Sequence, residues 1–260
     1  MIGTIALDAA DGASTGARWA GSRGRALVFV HGVGSTAAIW DRQLLAFGDR
    51  YRCYAIELRG NGVPKPEPSP SLITRAGYAA DVLAVCEHAG IERFTLVGCS
   101  LGGVVAFELW TIARERIESM VIVGSFAAYP DGIAYARTIG DAVETAGSMP
   151  EFARRRAGKL SLPEARVRET VEQMAIKTSE SYLAATEATW TGDYSHVLAS
   201  IDVPVLVTCG EHDSIAPPAL SEALAAGIPH SQFSLVPAAG HVANADNPAA
   251  FNDLLGAFLH

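Results

Sequence analysis

Cysteine is scarce in this chain of 260 residues: Cys53, Cys86, Cys99 and Cys209 are the four thiols. Their spacing matches neither a close-set metal site nor a dense disulfide framework. Three lie in or beside apolar runs, where a free, buried thiol is the expectation. Basic residues are also few. Lys plus Arg number 20 against 28 Asp plus Glu, a formal net charge of −8 with no long basic block. That argues against nucleic acid or an anionic membrane as a partner. Long hydrophobic runs are missing too, since "ALVFV" and "SMVIVG" are far too short to span a bilayer. The opening "MIGTIALDAADGAS" lacks a basic region followed by a long apolar segment, so no secretory signal is expected and a cytoplasmic location is the default. What is present is 49% apolar and 18% charged residues, the balance of a globular fold and not of a disordered chain. The length suits one domain, or one domain carrying an insertion.

The N-terminal half alternates short strand-like runs with helix-like ones. "TIALD" reads as an edge strand and "RALVFV" as a buried strand broken by "HGVGST". Residues 37 to 47 read as helix, and "YRCYAIEL" as a strand ended by the Gly- and Pro-rich loop "RGNGVPKPEPSP". Ile73, Ala76, Ala80, Leu83, Ala84 and Cys86 recur at helical spacing, predicting a helix over 73–89. "FTLVG", the helix "LGGVVAFELWTIARE" and the strand "IESMVIVG" follow. Strands alternating with helices predict a mostly parallel sheet covered on both faces. From about Ser125 to Ser200 no buried strand is expected, only charged helical stretches. The rhythm resumes with "VPVLVTCG", a helix near 218–226, "SQFSLVP" and a closing helix near 248–259. The economical organisation is a core of residues 1–124 and 201–260, with a helical insertion of residues 125–200 over the C-terminal ends of the strands.

The stretch "GCSLGG" at 98–103 crowds small residues around Ser100 directly after an apolar strand. A sharp strand-to-helix turn explains this. Gly98 and Gly102 remove colliding side chains, and Gly103 lets the new helix pack closely. The turn lifts the serine hydroxyl above the sheet at a helix N-terminus, whose free N–H groups favour developing negative charge. The competing reading is a tight turn, or a phosphate cradle, with Ser100 as helix cap. Neither nucleotide-binding glycine pattern fits, because no lysine follows and the spacing is absent.

A nucleophilic serine needs a base, and the base an orienting group. His88 reads as surface and His260 is terminal. His241 follows "SLVPAAG" and precedes the final helix, where an imidazole can hang over the sheet edge; a structural loop histidine is the alternative. "VPVLVTCGEHDSIAPP" ends a strand and offers Asp213, with Glu211 as the fallback acid. The loop after "ALVFV" supplies the second oxyanion donor, the Val33 N–H, beside the Leu101 N–H. His31 and Gly32 shape that turn, and no local ligand cluster suggests a metal at His31.

The order Ser100, Asp213, His241 differs from the two common serine-protease orders. Together with "HGVG" at 31–34, "ELRGNG" at 57–62, "GEHDSIAPP" at 210–218 and "GHVANADNP" at 240–248, it resembles the α/β-hydrolase family over nearly the whole chain outside the insertion. The resemblance implies an α/β fold with a mostly parallel sheet and a helical cap. It also implies Ser100 as nucleophile, Asp213 as acid, His241 as base, and Val33 and Leu101 as oxyanion donors, with no metal or organic cofactor. The C-terminal third is similar to 3-oxoadipate enol-lactonases and related carboxylesterases. In "ELRGNG", Glu57 and Asn61 stand where the commoner family pattern has Asp and His.

The expectation is a serine hydrolase acting on a small carboxylic ester or lactone. Carbon–carbon bond hydrolysis, amide hydrolysis and a haloperoxidase-like side reaction use the same frame, and a non-catalytic ligand-binding protein is the alternative from another class. Within the insertion, Trp190 offers an apolar pocket wall, with packing as its plainer role. Phe126 and Val242 are expected near the substrate, as is Ile39. Trp40 lines the pocket floor or packs the core. Arg137, Arg154, Arg155, Arg156, Arg166 and Arg168 offer a carboxylate clamp, most of them reading as solvated helix faces. A homodimer is the ordinary expectation for a soluble enzyme.

Overall fold

The computed structural model describes residues 1–61, 66–158 and 164–260. Residues 62–65 of the Gly- and Pro-rich segment, and the first residues of the stretch "LPEARVRETVEQMA", lie outside the described residues. Apolar runs of five to seven residues form the strands β3 (Ala26–Val30), β4 (Arg52–Glu57), β5 (Phe94–Cys99), β6 (Ile117–Val123), β7 (Val205–Gly210) and β8 (Ser231–Val236). They pair in parallel in the order β4-β3-β5-β6-β7-β8. β1 (Gly3–Asp8) and β2 (Ser14–Ala20) extend the sheet beyond β4 with antiparallel pairing. β1 is the edge strand expected from "TIALD".

The sequence reading contains no counterpart of β2. Its "STGARWA" has no apolar run and includes Gly and Arg. It is held by ladders on both sides and by the Thr15 hydroxyl, which donates to the Glu57 carbonyl at 3.0 Å. Tertiary pairing here outweighs weak local preference.

Alternate residues of the parallel strands serve two cores. Val28, Val30, Leu96 and Ile122 face one, and Leu27, Phe29, Val97 and Val121 the other. The first is covered by α2 (Arg75–His88) and α3 (Leu101–Ala113), the second by α1 (Asp41–Phe47) and α10 (Pro248–Phe258). Residues 37–47 are a 3-10 turn followed by α1. α2 starts where the Thr74 hydroxyl accepts from the Gly77 N–H at 3.0 Å, an N-cap.

α2 is the helix expected over 73–89, and it buries a different set of residues from those whose spacing announces it. Ile73 and Cys86 are buried, but Ala76 is exposed and Ala80, Leu83 and Ala84 are half-buried, while Tyr78, Ala79, Val82 and Val85 face the core. The larger side chains set the face. Asp81, which counts as polar in the pattern, is also inside because it holds the guanidinium of buried Arg59.

Between β6 and β7 the chain forms α4 (Gly132–Ala146), α5 (Met149–Ala157), α6 (Glu164–Ala175) and α7 (Ser179–Trp190). Ile139, Val143, Phe152 and Tyr182 from these helices belong to the same cluster as Val104 and Leu96. The inserted helices and the sheet therefore share one core. After β7, α8 (Pro218–Ala226) returns to β8, and the short α9 (Ala243–Asp246) precedes α10. Among the described residues no helix is long and apolar enough to cross a membrane.

Candidate active site

The loops leaving β3, β5, β6, β7 and β8 gather at the C-terminal edge of the sheet, where open parallel sheets present ligand sites. Ser100 follows β5 and precedes α3, at φ 54° and ψ −113°. That is a strained conformation for a residue with a side chain. The flanking glycines allow it. A Cβ on Gly98 would overlap the Gly102 carbonyl, and one on Gly102 would overlap the Val30 carbonyl. At Gly103 it would meet the Ser125 side chain 2.5 Å away. Two bonds hold the turn: Ser100 N–H donates to the Val123 carbonyl at 2.9 Å, and the Ser125 hydroxyl donates to the Ser100 carbonyl at 2.8 Å. Ser125 is a support that the sequence reading missed, since "VGSF" carries no recognisable signal.

Asp213 lies in the loop after β7 and His241 in the loop after β8. The His241 Nδ1 lies 3.0 and 2.9 Å from the two Asp213 carboxylate oxygens. Asp213 Oδ1 also accepts from the amides of Ile215 and Ala216, each at 2.9 Å. A carboxylate can only accept, so Nδ1 carries the proton and Nε2 is left as the basic nitrogen. The two loops come together through Gly210, where a Cβ would overlap the carbonyls of Ala239 and Gly240. Glu211, the fallback acid, is turned elsewhere and accepts from the Ala238 N–H at 3.1 Å. Of the other histidines, His88, His196, His212, His230 and His260 are exposed. Buried His31 has both nitrogens engaged. Its Nδ1 donates to the Gly32 carbonyl at 2.8 Å and its Nε2 accepts from the Leu58 N–H at 3.3 Å.

The loop after β3 approaches the serine. A Cβ on Gly32 would sit 3.1 Å from Ser100 Cβ and 3.7 Å from Oγ, so the loop that continues into Val33 lies against the Ser100 turn. Leu101 opens α3, so its N–H has no acceptor within the helix. The Ser100 hydroxyl is shut away from solvent and makes no hydrogen bond. Such contacts are often long before substrate arrives.

A second layer braces the His241 loop. The Asp246 carboxylate accepts from the Gly240 N–H at 3.1 Å, next to His241, and meets Arg166 Nε from α6 at 3.4 Å. Burial raises the Asp246 carboxyl above its ordinary value, against the pull of Arg166. Arg166 also pairs with Glu169. It is buried, contrary to the expected solvated helix face, because a carboxylate beneath the insertion draws it inward. Arg137, Arg154, Arg155 and Arg168 are exposed, as expected.

The residues expected at the substrate divide. Trp190 and Phe126 come together, stacked with centroids 5.1 Å apart, and Tyr129 and Tyr135 meet the indole edge-on at 4.6 Å each. Both Trp190 and Phe126 are buried, and the indole N–H has no partner. Val242 is half-buried and packs on the opposite core, with Ile39. Trp40 is a core residue there, fully buried between Phe29 and Phe251. Among the described residues no group of three His, Cys, Asp or Glu side chains could hold a metal.

Residues 25–248 match the family model described as the alpha/beta hydrolase fold. The chain belongs to the α/β-hydrolase family. This hydrolase-fold chain is 27% identical to 3-oxoadipate enol-lactonase 2 of Acinetobacter baylyi over 240 residues, covering 90% of this chain and 88% of that protein. It is also 27% identical to carboxylesterase YbfK of Bacillus subtilis, covering 90% of this chain and 79% of that one. A solved hydrolase structure from Pseudomonas aeruginosa superposes with a TM-score of 0.89 at 27% identity, over 98% of both chains.

Proposed function

We propose that the protein is a serine hydrolase that cleaves a small carboxylic ester or lactone through an acyl-enzyme on Ser100. The observation that carries the reading is the Asp213–His241 pair, at 2.9 and 3.0 Å, on the same sheet edge as a strained serine at a helix start. In this reading His241 Nε2 takes the Ser100 proton as Oγ attacks the carbonyl carbon. Asp213 holds the imidazole and stabilises its charged form. The amides of Val33 and Leu101 receive the oxyanion, each contributing about 3 kcal/mol. Collapse of the tetrahedral intermediate expels the alcohol, or opens the lactone, with the proton returned by His241. Water activated by His241 then releases the acid. The chemistry needs no metal or organic cofactor.

In the same proposal residues 125–200 act as a cap that selects the substrate, with Trp190 and Phe126 forming an apolar wall. The likeness to an enol-lactonase and to a carboxylesterase supports the reaction class. 3-Oxoadipate enol-lactone is the specific candidate that the first of these suggests.

The test is hydrolysis of short-chain aryl esters, simple lactones and 3-oxoadipate enol-lactone by the purified protein, with Ser100→Ala and His241→Asn alongside. Each substitution should lower kcat by about 10⁴-fold or more. Activity surviving in Ser100→Ala would falsify the acyl-enzyme. Turnover of aryl esters without the enol-lactone makes the protein a general esterase, and the reverse result makes it a lactonase.

A further inference from the structure

α7 lies against the loops of the sheet at both of its ends. Near its start, Ser181 Cβ lies 3.6 Å from where a Cβ on Gly60 would stand, in the loop after β4. The Tyr182 ring edge lies 3.2 Å from where one on Gly34 would stand, in the loop after β3 that carries Val33. At its end, Trp190 stacks on Phe126, in the segment after β6, with centroids 5.1 Å apart. The strand order is β4-β3-β5-β6, so the helix passes the C-terminal end of β5, where Ser100 stands. The lengths agree: eight residues of helix rise about 12 Å, and two strand spacings take about 10 Å. Thr186 is midway, one turn from Tyr182 and one turn from Trp190, and all three are buried.

A threonine on a helix can give its hydroxyl to the carbonyl four residues back. Thr138, Thr189 and Thr191 do so, at 3.0, 2.7 and 2.8 Å. Thr186 does not: its hydroxyl is shut away from solvent and has no partner. The Tyr182 hydroxyl and the Trp190 N–H, one turn to either side, are unpaired as well, and so is the Ser100 hydroxyl. Unpaired polar groups are rare inside proteins, because each has given up its bonds to water. Four of them on α7 and the nucleophile turn mark a surface shaped to bond something other than this chain. None of the residues that α7 buries is charged. An uncharged acceptor suits such a face, since an anion there would lack a counter-charge.

We propose that the inner face of α7 roofs the substrate site and that Thr186 determines specificity there. Its hydroxyl donates to an uncharged oxygen on the substrate's acyl chain, an ether, hydroxyl or ketone beyond the scissile carbonyl. The acyl group stays on Ser100 while the alcohol departs beside His241, which puts the recognised oxygen on the acyl side. This deepens the serine-hydrolase reading and rests on it, adding to the apolar wall a polar contact that selects oxygenated acyl chains.

The test uses 4-nitrophenyl 4-methoxybutanoate and 4-nitrophenyl hexanoate, which have the same length and differ by an ether oxygen in place of a methylene. Thr186→Val keeps the shape of the side chain and removes its hydroxyl. It should lower the ratio of kcat/KM on the methoxy ester to that on the hexanoate about fivefold, the size of one neutral hydrogen bond. Thr186→Ser should restore most of that ratio. Because the hydroxyl is unpaired in the free protein, Thr186→Val should also melt about 2 °C higher. An unchanged ratio, or a lower melting temperature, overturns the proposal. Binding of the ethyl esters of the same two acids to Ser100→Ala protein, followed by ligand-observed NMR titration, is independent of turnover. Weaker binding of ethyl 4-methoxybutanoate after Thr186→Val, with ethyl hexanoate unaffected, supports the roof even if the wild type cleaves neither nitrophenyl ester, in which case the hydrolase reading alone fails. Binding unchanged by Thr186→Val, or no binding, overturns the roof.

Discussion

Ser100 sits in a backbone conformation that costs on the order of 1–3 kcal/mol, and its neighbours offset that cost. The Val123 carbonyl holds the peptide unit before it and the Ser125 hydroxyl the one after it. Cys99, immediately before it, is the opposite case: a thiol turned into the core. Burial pushes the Cys53 and Cys86 thiols up to about 12 and Cys209 to about 11, and raises Cys99 as well. The reactive species is the thiolate. Below those values it is almost absent, so at pH 8 the native thiols are protected twice, by protonation and by burial. A disulfide reagent at pH 8 should leave native protein unmodified and its turnover of the proposed substrates intact, while four thiols react in denaturant. Rapid loss of activity with one thiol labelled would point to Cys99 and against a serine mechanism.

At the scale of elements, α6 and α9 are coupled through Arg166 and Asp246. Burial lifts the folded-state pKa of Asp246 above its unfolded value, so the native state holds that proton more tightly and this group's contribution to stability falls as pH rises through the window between them. Arg166 limits the effect. Arg166→Met removes the counter-charge and should cost about 2 kcal/mol at neutral pH, as for a buried charged acceptor left unsatisfied. The cost should shrink as the pH falls and Asp246, which burial already favours in its neutral form, takes up its proton. Thermal melts from pH 4.5 to 8 check this, and a difference independent of pH would contradict it.

Elements also show what the sequence made legible. Short apolar runs such as "ALVFV" and "FTLVG" announce buried strands, and "GCSLGG" announces its turn, because small residues there have one mechanical reason. β2 was hidden because cross-strand pairing, not composition, makes it a strand. The spacing over 73–89 announces α2 but not the face it buries, because alanines say little about direction and because buried Asp81 is polar. Asp213 and His241 were readable from their places after strands. Ser125 and Asp246 were not, since their contacts join segments far apart in sequence.

At the scale of the whole molecule, one apolar cluster runs from the sheet through α3 into α4, α5 and α7. The inserted helices have no separate core of their own within it, which favours a single cooperative transition. Single-tryptophan variants retaining Trp190 in the insertion, or Trp40 on the far side of the sheet, report on the two ends. Their urea midpoints should coincide. An earlier transition at Trp190 would mean that the insertion unfolds on its own.

The reach of Arg166 to Asp246 has a consequence for how such a protein can change. The helices that would choose the substrate also steady the backbone next to the imidazole. Under the proposed function, selectivity and chemical step are thus not independent modules. Replacing α6 by the corresponding helix of a relative should alter the posture of His241 unless residue 246 is changed with it, so new substrate ranges would be reached most readily through paired substitutions at residues 166 and 246.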